Sequence, residues 1–420
     1  MNLSAVVFTS IMLQPVQNRN YATIAIYTTA MKHISIIFIF FFFFGISANA
    51  NRFVSSFSEI LDTSEIKQDK RNSNIVSLTL RDGTKYVGET KLKRPHGNGK
   101  AVYKNGNVYE GEFAKGKRSG KGELTYANGD RYVGCFLKDS LCGEGKFYYR
   151  DGSVFEGQWK NGIRLNYGRM DYPNGDSYVG DWNGDIRTGK GTYNFAEGAW
   201  YIGEWENNLY SGTGTFVWGD GSKYSGAWTE GKRNGYGEYI FPDSAIYKGN
   251  WLENLCDGEG VYSTPDGSLY KGMFKKGKWH GRGVFVASDS SVYEGEFVEG
   301  MRHGFGTMRF SNGDVYEGSW QNNKRCGKGV YTWDNGDVYE GDWENDTMHG
   351  AGILRMKSGI EYKGGYVDGN ESGAGVAVDK DGLRYEGTFT EGLRNGKFIV
   401  KDAEGKKVGE CIYNSGILKK

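Results

Sequence analysis

Proline and cysteine are scarce in these 420 residues, with five of each. The cysteines are odd in number, widely spaced, and never form a C-x-x-C pair. That excludes a framework of disulfides using every cysteine, and it excludes the common zinc signatures. Charge of one sign is also missing. The 52 Lys and Arg residues offset 51 Asp and Glu residues, leaving a net charge of +1. Such a chain exerts no long-range pull on nucleic acid or an anionic membrane. No nucleic-acid partner is expected, and membrane attraction would need a local patch. Nucleophile–base pairs, phosphate loops and paired catalytic carboxylates do not stand out. The Gly-x-Gly motifs precede strands, not helices, so they carry no nucleotide-binding meaning. The expectation is a non-enzymatic chain with no catalytic, cofactor-binding or metal-binding residues.

What is abundant is glycine and aromatic side chains: 66 Gly, with Phe, Trp and Tyr making up 15%. Their order is periodic. An aromatic followed by x-Gly begins at Tyr86 and recurs every 23 residues, without insertion, to Tyr385. With that aromatic as position zero, position two is always Gly. Position four is aromatic except at Thr90, and positions eleven and thirteen are Gly except at Asn166 and Phe398. Tyr-x-Gly-x-Trp alternates with period two, so the three side chains share one face of a strand. Gly-x-Gly-x-aromatic does the same on a second strand, as in Gly212, Gly214 and Phe216. Position seven is Gly, Asn or Asp in every unit but the first, which suits a tight turn between the two strands. Glycine at position twenty, replaced at Ser244 and Ser290, marks the turn into the next unit.

One hairpin cannot bury its own aromatic face, but a stack of hairpins can. The fold expected is all-β: an elongated, twisted stack of antiparallel hairpins. Its glycine columns leave room for rings to lie across the backbone. Trp159, Trp182, Trp205, Trp228, Trp251, Trp320 and Trp343, all at position four, are expected to be structural.

Tyr201-Ile202-Gly203-Glu204-Trp205, followed by Gly212 and Gly214, resembles the unit of the MORN family (membrane occupation and recognition nexus). The resemblance covers residues 86–407. It implies stacked hairpins and a role in protein–protein contact, scaffolding or membrane association. Some members carry a lipid kinase or methyltransferase domain beside the repeats. Here the expectation is repeats without such a domain, which would make a lipid-kinase label one inherited from the repeats.

Before the repeats, residues 31–50 read MKHISIIFIFFFFFGISANA. A short basic start, an apolar run and Ala48-Asn49-Ala50 make a secretory signal peptide, and hence export, the leading reading. Two alternatives stay open: a membrane anchor over 34–48 and an organelle-targeting segment. Residues 1–30 read as a gene-model extension or unstructured. Residues 51–74 read as a linker or short capping helix, 75–85 as a capping strand and 408–420 as a carboxyl-terminal cap.

Three sets of residues are candidates for contact. Arg118, Arg164, Arg187, Arg233, Arg302, Arg325 and Arg394 recur at position nine. They are expected to line one edge, either as a stripe for an anionic partner or phospholipid, or paired with acids at positions one and three. Trp200, Tyr210 and Trp279 lie outside the main aromatic columns and are expected to be exposed. His96, His280, His303 and His349 share position ten with Cys142 and Cys326. Equivalent atoms in successive units should stand about 9–10 Å apart, too far for one metal ion. Cys135 and Cys142 fall on opposite strands of one hairpin, either as a pair or as free thiols. The protein partner is unspecified, and self-association is one form it could take.

Overall fold

The computed structural model describes residues 75–419. The expectations for residues 1–30, 31–50, 34–48 and 51–74 fall outside them. Among the described residues no helix is long and apolar enough to cross a membrane.

The described residues form a single sheet of 31 strands. Each strand pairs antiparallel with the next, from β1 (Ile75–Thr79) and β2 (Lys85–Lys91) to β30 (Lys407–Asn414) and β31 (Ile417–Leu418). The all-β expectation holds. Within the repeats, seven-residue strands alternate with nine-residue ones, as in β12 (Trp200–Glu206) and β13 (Leu209–Val217).

Two turn types alternate as well. Inside every unit but the one with Asp185 at position seven, positions six and seven are both left-handed, as at Asn207 (φ 51°) and Asn208 (φ 68°). Positive φ at both central residues is the turn that follows the natural strand twist. The sequence pointed only to position seven. Position six is left-handed too, even where it is Lys115 (φ 53°) or Glu230 (φ 49°). Between units, the position-twenty N–H donates back to position seventeen, as from Gly106 to the Tyr103 carbonyl at 3.0 Å.

A bulge breaks the pairing in each hairpin. Gly203 pairs with Gly214, yet the next residue, Glu204, pairs with Ser211. Gly212 and Thr213 are the extra residues, and Gly212 takes φ 58° to accommodate them.

Alternation then sorts the side chains. Positions zero, two, four, nine, thirteen and fifteen share what we call the inner face. Positions one, three, ten, twelve and fourteen share the outer face. The position-zero rings fill the inner face: Tyr178, Tyr201 and Tyr224 are all 0% exposed. Their hydroxyls donate to the position-three carbonyl, at 2.9 Å from Tyr201 to Glu204 and from Tyr224 to Ala227. Each ring lies across the glycine backbone, so a Cβ on Gly260 would stand 2.6 Å from the Tyr247 ring. Each position-four tryptophan wedges between two position-zero rings, which are both tyrosines except where Phe155 is one of them. Trp182 meets Tyr178 edge-on at 5.0 Å between ring centres, and Trp205 meets the same Tyr178 at 5.2 Å. Such pairs add roughly 0.5–1.5 kcal/mol beyond the area they bury. The indole N–H reaches into the preceding unit, as from Trp228 to the Gly214 carbonyl at 3.1 Å. All seven named tryptophans lie in this layer. The last unit departs: Phe398 replaces the position-thirteen glycine and its own ring covers Gly387.

Candidate interaction faces

The position-nine arginines do not line an open edge. Their parity puts them on the inner face, where the guanidinium carbons lie over rings of the following unit. Arg233 stands 4.3 Å from the Trp251 ring centre, Arg302 4.4 Å from Trp320, and Arg325 4.4 Å from Trp343. Arg118 sits 5.4 Å from Phe136, Arg187 4.6 Å from Trp205 and Arg164 4.8 Å from Trp182. Arg394, in the last unit, lies 4.0 Å from Tyr385 of its own unit. The side chains of Arg118, Arg164 and Arg325 keep only 18%, 9% and 20% exposure. Burial among the rings pulls Arg233 and Arg302 below the usual guanidinium range.

Their partners are not the acids at positions one and three. Each arginine but Arg394, whose guanidinium donates to the Tyr413 hydroxyl, is clasped by position seven of the next unit. The Arg233 backbone N–H donates to Asn254 Oδ1 at 2.9 Å, and its guanidinium donates to the Asn254 carbonyl at 3.0 Å. Arg118 with Asp139, Arg187 with Asn208, Arg302 with Asn323 and Arg325 with Asp346 repeat both bonds. Arg164 is ion-paired to Asp185. Where position nine is Pro95, Leu141, Tyr210, Cys256, Trp279, Met348 or Glu371, the matching position seven is glycine. The arginine column is therefore a set of clasps between neighbouring units. The sequence carried this signal in the matched choice of residues 21 apart, which single-column reading missed.

The same parity corrects two of the expected exposed aromatics. Tyr210 stacks on Tyr201 with ring centres 4.0 Å apart, and Trp279 stacks on Tyr270 at 4.3 Å. Both substitute for arginine within the inner layer. Trp200, half-buried between Asn194 and Val217 on adjacent strands, does lie on the outer face.

The acids at positions one and three point outward and meet outer-face cations. Lys100 pairs with Glu110, Lys146 with Glu156 and Arg355 with Glu340, at 3.1–3.3 Å. Such exposed pairs contribute little, about 0–1 kcal/mol each. The position-ten histidines share this face. Among the described residues no group of three or more His, Cys, Asp or Glu is placed to hold a metal ion.

The outer face also holds the aromatics that are truly exposed: Tyr167 (62%), Tyr236 (66%) and Phe305 (57%). All three occupy position twelve, three units apart, and the sequence reading overlooked them. Their column, with positions one and fourteen, borders open troughs over the glycine backbone. One trough, of about 530 Å³, is lined by Glu144, Lys146, Glu156, Gln158, Tyr167 and Arg169 with Val133. Another, of about 780 Å³, is lined by Phe305, Val315, Val330, Ala351 and Ile353 with Glu317, Lys328, Glu340 and Lys363.

These features define a class: a repeat-built sheet whose inner face is closed by its own rings and whose outer face is open. The chain belongs to the MORN-repeat family, whose model matches fourteen consecutive segments from 86–108 to 385–397. Members of that family are generally protein- or membrane-interaction modules. No curated protein compared with the chain matches it. Similar solved structures include the TCP domain of SAS-4 of Drosophila melanogaster in complex with a proline-rich motif of Ana2. It is 14% identical, with 51% of this chain and 97% of that chain covered and a TM-score of 0.20. The TCP10 domain of Danio rerio CPAP is 11% identical, with 69% and 99% covered and a TM-score of 0.14. A streptogramin B lyase is 14% identical, with 71% and 93% covered and a TM-score of 0.12. At such scores the likeness carries no argument about function.

Proposed function

We propose that this chain is a non-catalytic scaffold whose outer face, in its carboxyl-terminal half, binds a protein partner. The observation that carries this reading is the position-fourteen column. In the first four units it is Lys100, Glu123, Lys146 and Arg169; in the last seven it is Val261, Val284, Thr307, Val330, Ile353, Val376 and Ile399. The fold requires no apolar residue there, because the inner layer supplies the core. An apolar run on an open sheet face, beside the exposed Phe305 ring, suits a partner that buries aliphatic and aromatic side chains. The mixed signs of Glu317, Lys328, Glu340 and Lys363 beside it suit a polar rim.

Phospholipid binding through the arginine column has less support, since those guanidinium groups lie on rings and are bonded to the next unit. The test is a photo-crosslinking residue placed singly at Phe305, Val330, Glu123 or Lys146 in the native host cell. A discrete protein adduct at the first two positions, absent at the last two and abolished by Ile353→Asp, supports the reading. Equal labelling at all four would sink it. So would flotation with anionic vesicles at low salt together with no protein adduct.

A further inference from the structure

Positions three and ten face each other across each hairpin on the outer face. Most units hold polar or mixed pairs there, such as Asp181 with Thr188, Glu296 with His303 and Asp342 with His349. The third unit alone holds a thiol at both. Cys135 and Cys142 are register partners on β6 (Arg131–Leu137) and β7 (Ser140–Tyr148), and their Sγ atoms stand 3.0 Å apart. That is closer than two sulfur atoms rest in simple contact, and the Cα placement of cross-strand neighbours lies within the range a disulfide spans. Both residues are half-exposed, so a small reagent can reach them.

We infer that Cys135 and Cys142 form a reversible dithiol–disulfide site that reacts with low-molecular-weight disulfides such as oxidised glutathione. The Cys142 thiol donates toward Cys135 Sγ and the Cys135 thiol toward the Phe136 carbonyl, so Cys135 becomes the nucleophile once its own proton passes to solvent. Burial and the neighbouring sulfur push the Cys142 thiol up to about 11, in keeping with its role as proton holder. Lys121 is the register partner of Cys135 on the other flank. The Cys135 thiolate attacks one sulfur of the glutathione disulfide, forming a mixed disulfide and releasing one glutathione thiolate. Cys142 then loses its proton to solvent, and its sulfur attacks Cys135 Sγ and expels the second glutathione thiolate. The protein is oxidised by two electrons and loses two hydrogens, and the glutathione disulfide is reduced to two thiols. The bond would tie the outer-face end of this hairpin, where Cys142, Gln158, Trp159 and Leu165 line an open recess of about 370 Å³.

The chain carries its own control. Cys326 occupies position ten in a later unit, in the same local backbone, but its register partner is Ser319. The full chain is equilibrated in buffers of fixed reduced-to-oxidised glutathione ratio, quenched with acid and counted for free thiols after unfolding. The expected count falls from five to three. Peptides cut after Lys138 should remain joined through Cys135 and Cys142, while Cys326 stays free. Cys135→Ser should leave Cys142 unlinked, and Cys326→Ser should leave the linked peptides unchanged. Five free thiols throughout, or glutathione adducts on Cys135 and Cys142 without a link between them, would overturn the inference.

Discussion

Two stretches of the outer face stand on the same backbone and are filled differently. Around Lys146, positions one, twelve and fourteen carry Glu156, Glu144, Tyr167 and Arg169; around Val330 they carry Glu317, Phe305, Ala351 and Ile353. The inner face beneath does not change with them. Tyr132 and Trp159 lie under the first stretch, Tyr316 and Trp343 under the second, and all four are 0–7% exposed. The inner layer is fixed by packing, so its residues report on the fold. The outer face is unconstrained by packing, so a change of character along it reports on what it meets.

The largest effect should come from an agent that strikes the inner layer under both stretches at once. Burial pushes the phenols of Tyr86, Tyr224, Tyr270, Tyr293 and Tyr362 up to about 12. An unfolded tyrosine ionises near pH 10. The folded state therefore holds the neutral phenol, and its stabilising effect is complete below pH 10. It is lost as pH rises from about 10 toward 12, because the unfolded chain releases protons first. Phenolate absorbance and loss of the sheet circular-dichroism signal should appear together in that window. Phenols titrating near pH 10 with the sheet intact would remove the closed inner layer from the comparison.

Much of this layer could be read from the sequence. The 23-residue period, the Tyr-x-Gly-x-Trp alternation and the glycine columns give the hairpin, the shared face and the ring over bare backbone. Less legible were features set by relations between columns. Position nine belongs to the inner face because the bulge at Gly212 and Thr213 adds two residues and so preserves parity. Where the alternation of positions eleven, thirteen and fifteen is not carried back to position nine, Tyr210 and Trp279 read as surface residues and the arginines as a free stripe. The left-handed Glu230 and Lys115 carry no local signal, because the closed hairpin imposes their conformation. The outer-face trough depends on which column is left uncovered, and that follows only once the inner face is assigned.

A smaller effect should come from the clasps, which join units without belonging to either stretch. Replacing Arg233 with Tyr, or Asn254 with Gly, copies half of the alternative set seen at Tyr210 and Gly231. Arg233→Tyr removes the guanidinium's bond to the Asn254 carbonyl and its contact with the Trp251 ring, Asn254→Gly removes the acceptor of the Arg233 backbone N–H, and each change alone should destabilise by about 1–2 kcal/mol. Made together, they should recover part of that loss, with a coupling of about 1 kcal/mol in a double-mutant cycle from urea unfolding. Strict additivity would mean that the matched residues 21 apart do not act as a pair.

The smallest effect on stability should come from exchanging the two outer fillings, and here the comparison is most exposed. Lys146→Val and Val330→Lys alter half-buried or exposed side chains that the core does not use. Each should leave the urea midpoint nearly unchanged, within about 0.5 kcal/mol. Lys146→Val removes one exposed ion pair with Glu156, worth no more than about 1 kcal/mol. Val330→Lys places an ammonium near Glu317 and Glu340, both of which line the same trough. If Val330→Lys instead destabilised by several kcal/mol, the apolar column would be a second core and its conservation of character would report on folding. If the change is neutral to folding and abolishes the adduct at Phe305, the two stretches differ because only one of them meets a partner.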